Sequence, residues 1–298
     1  MARFSAPAGR RAVLGIPCVW LLVLFLIPFL IVFKISFSEV RLAMPPYAPL
    51  FEWIRGKPVA SLNLANYGYL FSDPLYISSY LYSLKVAAVS TVICLCLGYP
   101  MAYAIARSAA TTRNVLLMLI VLPFWTSFLL RVYAWIGLLK SNGVINNVLL
   151  SLGIIHEPLA MMQTDFAVYI GIVYSYLPFM ILPLYANLEK HDLTLIEAAA
   201  DLGARPITAF RRITLPLSLP GVAAGSLLVF IPAVGEYVIP SLLGRTDQLM
   251  IGRVLSDEFF ANRDWPVASA VAIVMLVLLV GPIMLFQHFE KRSLAGTK

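Results

Sequence analysis

Charge is scarce in this sequence. Asp, Glu, Lys and Arg make up 12% of its 298 residues, about half the share found in a soluble domain. Mean hydropathy is +0.86. That deficit excludes a surface that is wet all round, so lipid must solvate most of the chain. Histidine is scarce too. His156, His191 and His288 are scattered, with no H-E-x-x-H and no nucleophile motif, which argues against a zinc hydrolase or other membrane-embedded enzyme. The cysteines Cys18, Cys94 and Cys96 all fall in apolar runs. Cys94 and Cys96 are two apart and point to nearly opposite faces of a helix, so neither a disulfide nor a metal site is expected. No G-x-x-x-x-G-K-[ST] occurs, which removes the phosphate cradle of a P-loop ATPase. Low-complexity stretches and linkers are absent as well, so a single domain over 1–298 is expected.

Long apolar runs are abundant. Six are long enough to cross a bilayer as helices, at about 12–34, 83–107, 114–139, 166–188, 213–243 and 265–289. They lack strand-like alternation, so the expected fold class is an all-α integral membrane protein with six spans. Their interiors hold two charged residues, Arg131 and Glu236. Arg10-Arg11 before the first run fits a leader sequence, but the run is long and no small-x-small site follows it, so it reads as a retained helix. Nine prolines fall in or beside the runs, each disturbing the helix ladder.

An even number of spans puts both termini on one side. That side carries twelve basic and five acidic groups, from Arg3 to Lys298, and so the whole net charge of +7. The positive-inside rule makes it cytoplasmic. Short basic loops between spans thereby have a topological cause, and nucleic acid is not expected as a partner.

The opposite side holds the longer connections. Met44-Pro45-Pro46-Tyr47-Ala48-Pro49 reads as an extended, turn-rich passage, and Pro74 as the opening of a helix running into the second span. Tyr67, Tyr69, Tyr76, Tyr80 and Tyr82 fit an interfacial aromatic belt, and the alternative is that the same residues line an entrance for a cation. Asn146 to Leu152 reads as a short amphipathic helix at the surface.

Between the fourth and fifth spans, the loop 189–216 is polar. Leu193 to Leu202 reads as a helix with Asp192 as its cap, ended by Gly203, which tolerates positive φ. Pro206 then opens a second short helix. Within the loop, Glu197-Ala198-Ala199-Ala200-Asp201-Leu202-Gly203 is followed after nine residues by Ile213-Thr214-Leu215-Pro216. This E-A-A-x-x-x-G…I-x-L-P register resembles the cytoplasmic loop of permease subunits of bacterial ATP-binding cassette (ABC) importers. The resemblance implies a type I, MetI-like importer permease fold with cytoplasmic termini. It also implies a coupling loop that docks on a separate ATPase through Glu197, Ala198, Ala199, Asp201, Gly203, Ala204, Arg205, Ile213, Leu215 and Pro216.

The match narrows further. The stretches from Pro123 to Trp135, Phe230 to Pro240 and Asn262 to Ala270 resemble the polyamine permeases, the PotH/PotB-like family. That implies an inner-membrane subunit importing polyamines, putrescine foremost and spermidine next, from periplasm to cytoplasm. The implied partners are a second homologous permease, two cytoplasmic ATPases, a periplasmic polyamine-binding protein and the bilayer. No cofactor is bound by this chain, ATP and Mg sitting on the ATPases, and the chain has no enzymatic site of its own.

Glu236 stands out on physical grounds, because a carboxylate in a span needs a partner. Pro232, Glu236 and Pro240 are spaced by four and are expected on one helix face. Counted along straight helices, Glu236 and Arg131 reach about the same depth, roughly 25 Å from the cytoplasmic end. Two readings stay open. Either Glu236 faces the pathway and attracts an ammonium group, or it forms a structural ion pair with Arg131. Trp125, Tyr133, Trp135, Tyr174, Tyr176 and Tyr237 are candidates for cation–π faces along the path. A permease for another small organic cation, and a self-sufficient secondary transporter, are the alternatives. The latter predicts ion-coupling residues near the midplane and internal repeats, and neither is visible.

Overall fold

The computed structural model describes residues 7–54, 57–60 and 62–295, with side chains over 13–50 and 62–284. Arg3 and Lys298, counted above on the basic side, lie outside the described residues. Nearly all of the rest is helix. In chain order, α1 (Pro7–Leu21), a π-turn and α2 (Ile27–Ile35) form the first span. A short antiparallel pair follows, β1 (Phe51–Ile54) and β2 (Lys57–Ala60), with Phe51 opposite Ala60. Then come α3 (Ala65–Ser72), α4 (Pro74–Arg107), α5 (Ala110–Val121), α6 (Phe128–Leu139) and α7 (Val144–Ser151). α8 (Asp165–Leu188), α9 (Thr194–Asp201), α10 (Pro206–Ala209), α11 (Leu215–Val234), α12 (Val238–Leu243), α13 (Ile251–Ser256) and α14 (Trp265–Ala295) complete the chain.

Five helices are long and apolar enough to cross a membrane, or six if one bent pair is counted as a single span. Four of the expected spans are single helices near their expected positions. The third is not. Its two parts, Ala110–Trp125 and Phe128–Ser151, meet at 90°. Pro123 ends the α-helical ladder in a 3-10 turn, Leu122–Trp125, and Thr126 is extended (φ −93°, ψ 151°) with its hydroxyl donating to the Pro123 carbonyl at 2.7 Å. The expected straight run over 114–139 is therefore corrected, and with it the depth assigned to Arg131. The fifth span is corrected as well. It begins early, at Pro206, and runs unbroken to Val234, where the chain leaves helical geometry through Gly235 before α12. Pro232, Glu236 and Pro240 do not share one helix face.

Contacts divide the chain into two compact units. One takes the chain up to Pro74 together with Leu255–Val277. There, buried Asn66 donates to the carbonyls of Ser36 and Ser38, both at 2.9 Å, and the Ser36 and Tyr67 hydroxyls lie 2.8 Å apart. Val40 bridges Tyr47 across the proline-rich passage, and Trp265 stacks on Phe259 at 4.9 Å.

The other unit, Leu75–Val254 with the chain from Leu278, holds a core built by α4, α8 and α11 around Cys94, Ala102, Met180, Ile181, Leu184 and Val229. α11 approaches α8 closely because Gly225 has no side chain: a Cβ there would lie 3.0 Å from the Met180 carbonyl oxygen. Gly225→Leu is expected to destabilise the bundle by about 1–3 kcal/mol through overpacking, read as a lower thermal midpoint of the detergent-solubilised protein. Tyr76, Tyr80 and Tyr82 are buried, which corrects the aromatic-belt expectation for these three, and Tyr82 donates to Asp165 at 2.9 Å. Cys94 is buried and Cys96 exposed, as a helix requires of residues two apart.

Candidate functional site

The loop between α8 and α11 is built by local capping. Asp192 Oδ1 accepts the Thr194 N–H at 3.0 Å and starts α9, and that hydrogen bond holds the Asp192 carboxyl below its ordinary range. α9 ends where Gly203 takes φ +80°. The N–H of Gly203 then reaches the Ala200 carbonyl and that of Ala204 the Ala199 carbonyl, both at 2.9 Å, and Pro206 opens α10. Glu197, Ala198, Asp201, Gly203 and Arg205 are exposed, and Ala199 and Ala204 half-buried. Apolar side chains share this surface. Leu202 is 89% exposed, and Leu193, Leu195 and Ile207 are exposed beside it.

Ile213, Leu215 and Pro216 lie farther along, inside the continuous helix Pro206–Val234, where the π-turn Phe210–Thr214 precedes α11 and Pro216 occupies its first turn. The start of the loop is tied back by an ion pair, Arg113 to Glu189 at 2.8 Å. Beside it, burial pushes the His191 imidazole below its ordinary 6.5, nearby Arg107 adds to this, and the Leu217 backbone opposes it. A histidine depressed in the folded state binds fewer protons than in the unfolded chain once the pH drops below 6.5. Its effect on stability is absent above that pH, and stability is lost as the pH falls through and below it. Acidification from pH 7.5 to 5.5 should therefore lower the thermal midpoint more in the wild type than in His191→Asn.

The second locus is the interruption after α11. Glu236 is 7% exposed. Its Oε1 accepts the backbone N–H groups of Tyr237 (3.1 Å), Val238 (2.9 Å) and Ile239 (3.3 Å), which are free because α12 begins there. Its Oε2 accepts the Tyr176 hydroxyl. A carboxylate has about four acceptor positions, two on each oxygen; here Oε1 takes three donors and Oε2 one. α13 sits directly on this break: a Cβ on Gly252 would lie 2.4 Å from the Gly235 carbonyl oxygen and 2.8 Å from that of Glu236.

Among the described residues no ion pair joins Arg131 to Glu236. The Arg131 guanidinium instead lies over Phe124 at 5.3 Å and Phe128 at 5.7 Å, with its Nε buried and without a hydrogen-bond partner there. The ion-pair reading is thus corrected. The bend in the third span redirects Arg131, and backbone amides take the carboxylate.

The aromatic candidates separate. Tyr176 meets Glu236, Tyr237 contributes its amide, and Trp135 meets Tyr174 edge-on at 5.5 Å. Trp125 (79% exposed) and Tyr133 join neither group. A cavity of 460 Å³ between α4, α5 and α8 is walled by Met101, Leu116, Leu119, Ile120, Leu177 and Ile181 among others. None of its lining residues is charged, so it does not suit a polycation. Sequence reasoning missed Gly252 and the amides beyond Glu236. A glycine followed by a carboxylate, two residues ahead of an apolar helix start, was the available signal for a cap.

Comparison with known proteins fits this architecture. Residues 94–293 match the family model described as binding-protein-dependent transport system inner membrane component. The spermidine/putrescine transport system permease protein PotB of Haemophilus influenzae is 40% identical over 279 residues, covering 94% of this chain and 92% of that protein. PotB of Escherichia coli is 42% identical over 236 residues, covering 79% and 85%. In fold, the chain resembles one from a bacterial alginate ABC transporter solved in complex with an alginate pentasaccharide-bound periplasmic protein. The TM-score is 0.71 at 17% identity, with 98% of each chain covered. The chain belongs to the family of binding-protein-dependent transport system inner membrane components, as a multi-pass inner-membrane permease with the type I ABC importer fold.

Proposed function

We propose that this permease imports polyamines, spermidine and putrescine, from periplasm to cytoplasm. The observation that carries the mechanism is the exposed corner formed by α9 and the Gly203 turn, where Glu197 and Asp201 stand among uncovered Leu193, Leu202 and Ile207. Exposed apolar side chains beside fixed charges, on a short capped helix, suit a protein partner. The partner is an ABC ATPase, two copies of which serve this chain and a second homologous permease, while a periplasmic binding protein delivers the cargo. The loop and both termini are cytoplasmic. ATP and Mg belong to the ATPases, and this chain hydrolyses nothing.

The substrate class rests on the polyamine names of the PotB relatives. Those names carry both polyamines; putrescine is our first choice. Glu236 acts as a structural cap and not as an ammonium ligand, since its carboxylate is buried and already accepts three main-chain amides and the Tyr176 hydroxyl.

The test is ATP hydrolysis by the chain assembled with its neighbouring subunits in lipid, with the binding protein empty or loaded with putrescine or spermidine. Loaded binding protein should stimulate hydrolysis, and the isolated chain should hydrolyse no ATP. Stimulation by no polyamine would overturn the substrate, and intrinsic hydrolysis by the isolated chain would overturn the division of labour.

A further inference from the structure

The helix that leaves the loop is one rod. Pro206–Val234 runs for 29 residues without interruption, about 43 Å at 1.5 Å per residue. α9 is attached to its near end through the Gly203 turn. On the rod's first turns, the Phe210 ring is met at right angles by two tyrosines of α4. Tyr99 lies at 5.8 Å and 88°, and Tyr103 at 5.9 Å and 87°. These tyrosines are four apart and so stand one above the other on the same helix face. Perpendicular rings at this separation are in the favoured edge-to-face arrangement. Phe210 also opens the π-turn, a local widening often found at functional positions.

A second grip lies eight residues on, where the Tyr99 hydroxyl is 2.9 Å from Ser218 Oγ. Tyr103 in turn carries the Arg107 guanidinium over its ring at 5.4 Å. The rod is therefore held to α4 at two of its levels, Phe210 and Ser218, by tyrosines that stand one turn apart on α4. A single contact would let the helices pivot about it, whereas two contacts make them tilt together.

We propose that Phe210 is a positioning residue for transport. Through the clasp of Tyr99 and Tyr103, and the Tyr99–Ser218 bond above it, a pull on α9 moves α4 together with α11. One loop thus drives two spans. The proposal rests on reading α9 as the ATPase contact.

The experiment uses the whole importer in proteoliposomes and measures polyamine uptake per ATP hydrolysed with loaded binding protein. Phe210→Ala should lower that ratio about fivefold or more, the lower end of ordinary coupling between sites, and Phe210→Tyr should restore it. Damage confined to folding would reduce uptake and hydrolysis together and leave the ratio unchanged. Phe210→Leu keeps the apolar bulk and loses the ring contacts, so it carries the test if the alanine variant does not assemble, and it too should show a lowered ratio. A wild-type ratio in whichever of the alanine and leucine variants assembles would overturn the clasp. If wild-type hydrolysis does not respond to loaded binding protein, the parent reading falls and takes this one with it.

Discussion

Gly203→Val is expected to cut polyamine uptake by the assembled importer about tenfold, with little change in the amount of permease in the membrane. Gly203 sits at φ +80°, and a Cβ there would meet nothing within 4 Å. The effect is therefore conformational and not a clash. An L residue forced into the left-handed region pays about 1–2 kcal/mol, and a β-branched one is a genuine outlier there. Since about 1.4 kcal/mol is tenfold in population, the turn that presents Glu197 and Asp201 is largely lost. Gly203→Asn is the control, because asparagine tolerates this conformation and should keep most of the uptake. Equal transport by the valine and asparagine variants would mean that the turn plays no part in coupling. Charge reversal, Glu197→Lys, attacks the same corner from the other side and should lower co-purification of the ATPases.

At Glu236, alanine and glutamine should part company. Glu236→Ala leaves three amides and the Tyr176 hydroxyl without their acceptor. A lost helix cap costs about 0.5–2 kcal/mol, and each buried donor left unsatisfied about 1–3 kcal/mol. Summed over four donors this is comparable to the whole net stability of an ordinary domain, about 5–15 kcal/mol, so yield and thermal midpoint should fall sharply. Glutamine keeps one oxygen for the amides, and its –NH₂ can donate to Tyr176 once that hydroxyl turns. Glu236→Gln should therefore fold and transport with a KM for putrescine and spermidine close to wild type. A KM raised tenfold in a well-folded glutamine variant would mean that the negative charge itself meets the cargo, and the cap reading would be wrong.

These two positions also show what the sequence made legible. Gly203 was readable because its role is local. A helix, a glycine and a proline in that order define a turn without help from the rest of the chain, and α9 forms over Thr194–Asp201, one residue inside each end of the expected Leu193–Leu202. The spans were readable for a similar reason, since about 20 apolar residues in lipid have few options besides helix.

Glu236 was misread because its partners are not side chains. Arg131 is the nearest thing to a counter-charge that the apolar runs offer, whereas the donors are main-chain amides freed by a helix break. A spacing of four places residues on one face only while the helix continues, and Gly235 ends it. Arg131 was misplaced by the same assumption of continuity. Hydropathy counts residues and is blind to a 90° turn at Thr126. Phe210 gave no warning either, because one aromatic in a polar loop acquires meaning only when two tyrosines more than a hundred residues earlier are seen around it.

That right-angle turn has a consequence for the surroundings of the third crossing. Around Pro123 to Ser127 the helical ladder is interrupted, with Thr126 and Ser127 out of helical geometry. Hydrocarbon supplies neither donors nor acceptors, so main-chain groups released in this way must be sheltered by protein or wetted. The six crossings are accordingly not equivalent toward the bilayer. The elbow of the third needs protein or water beside it, which acyl chains do not supply.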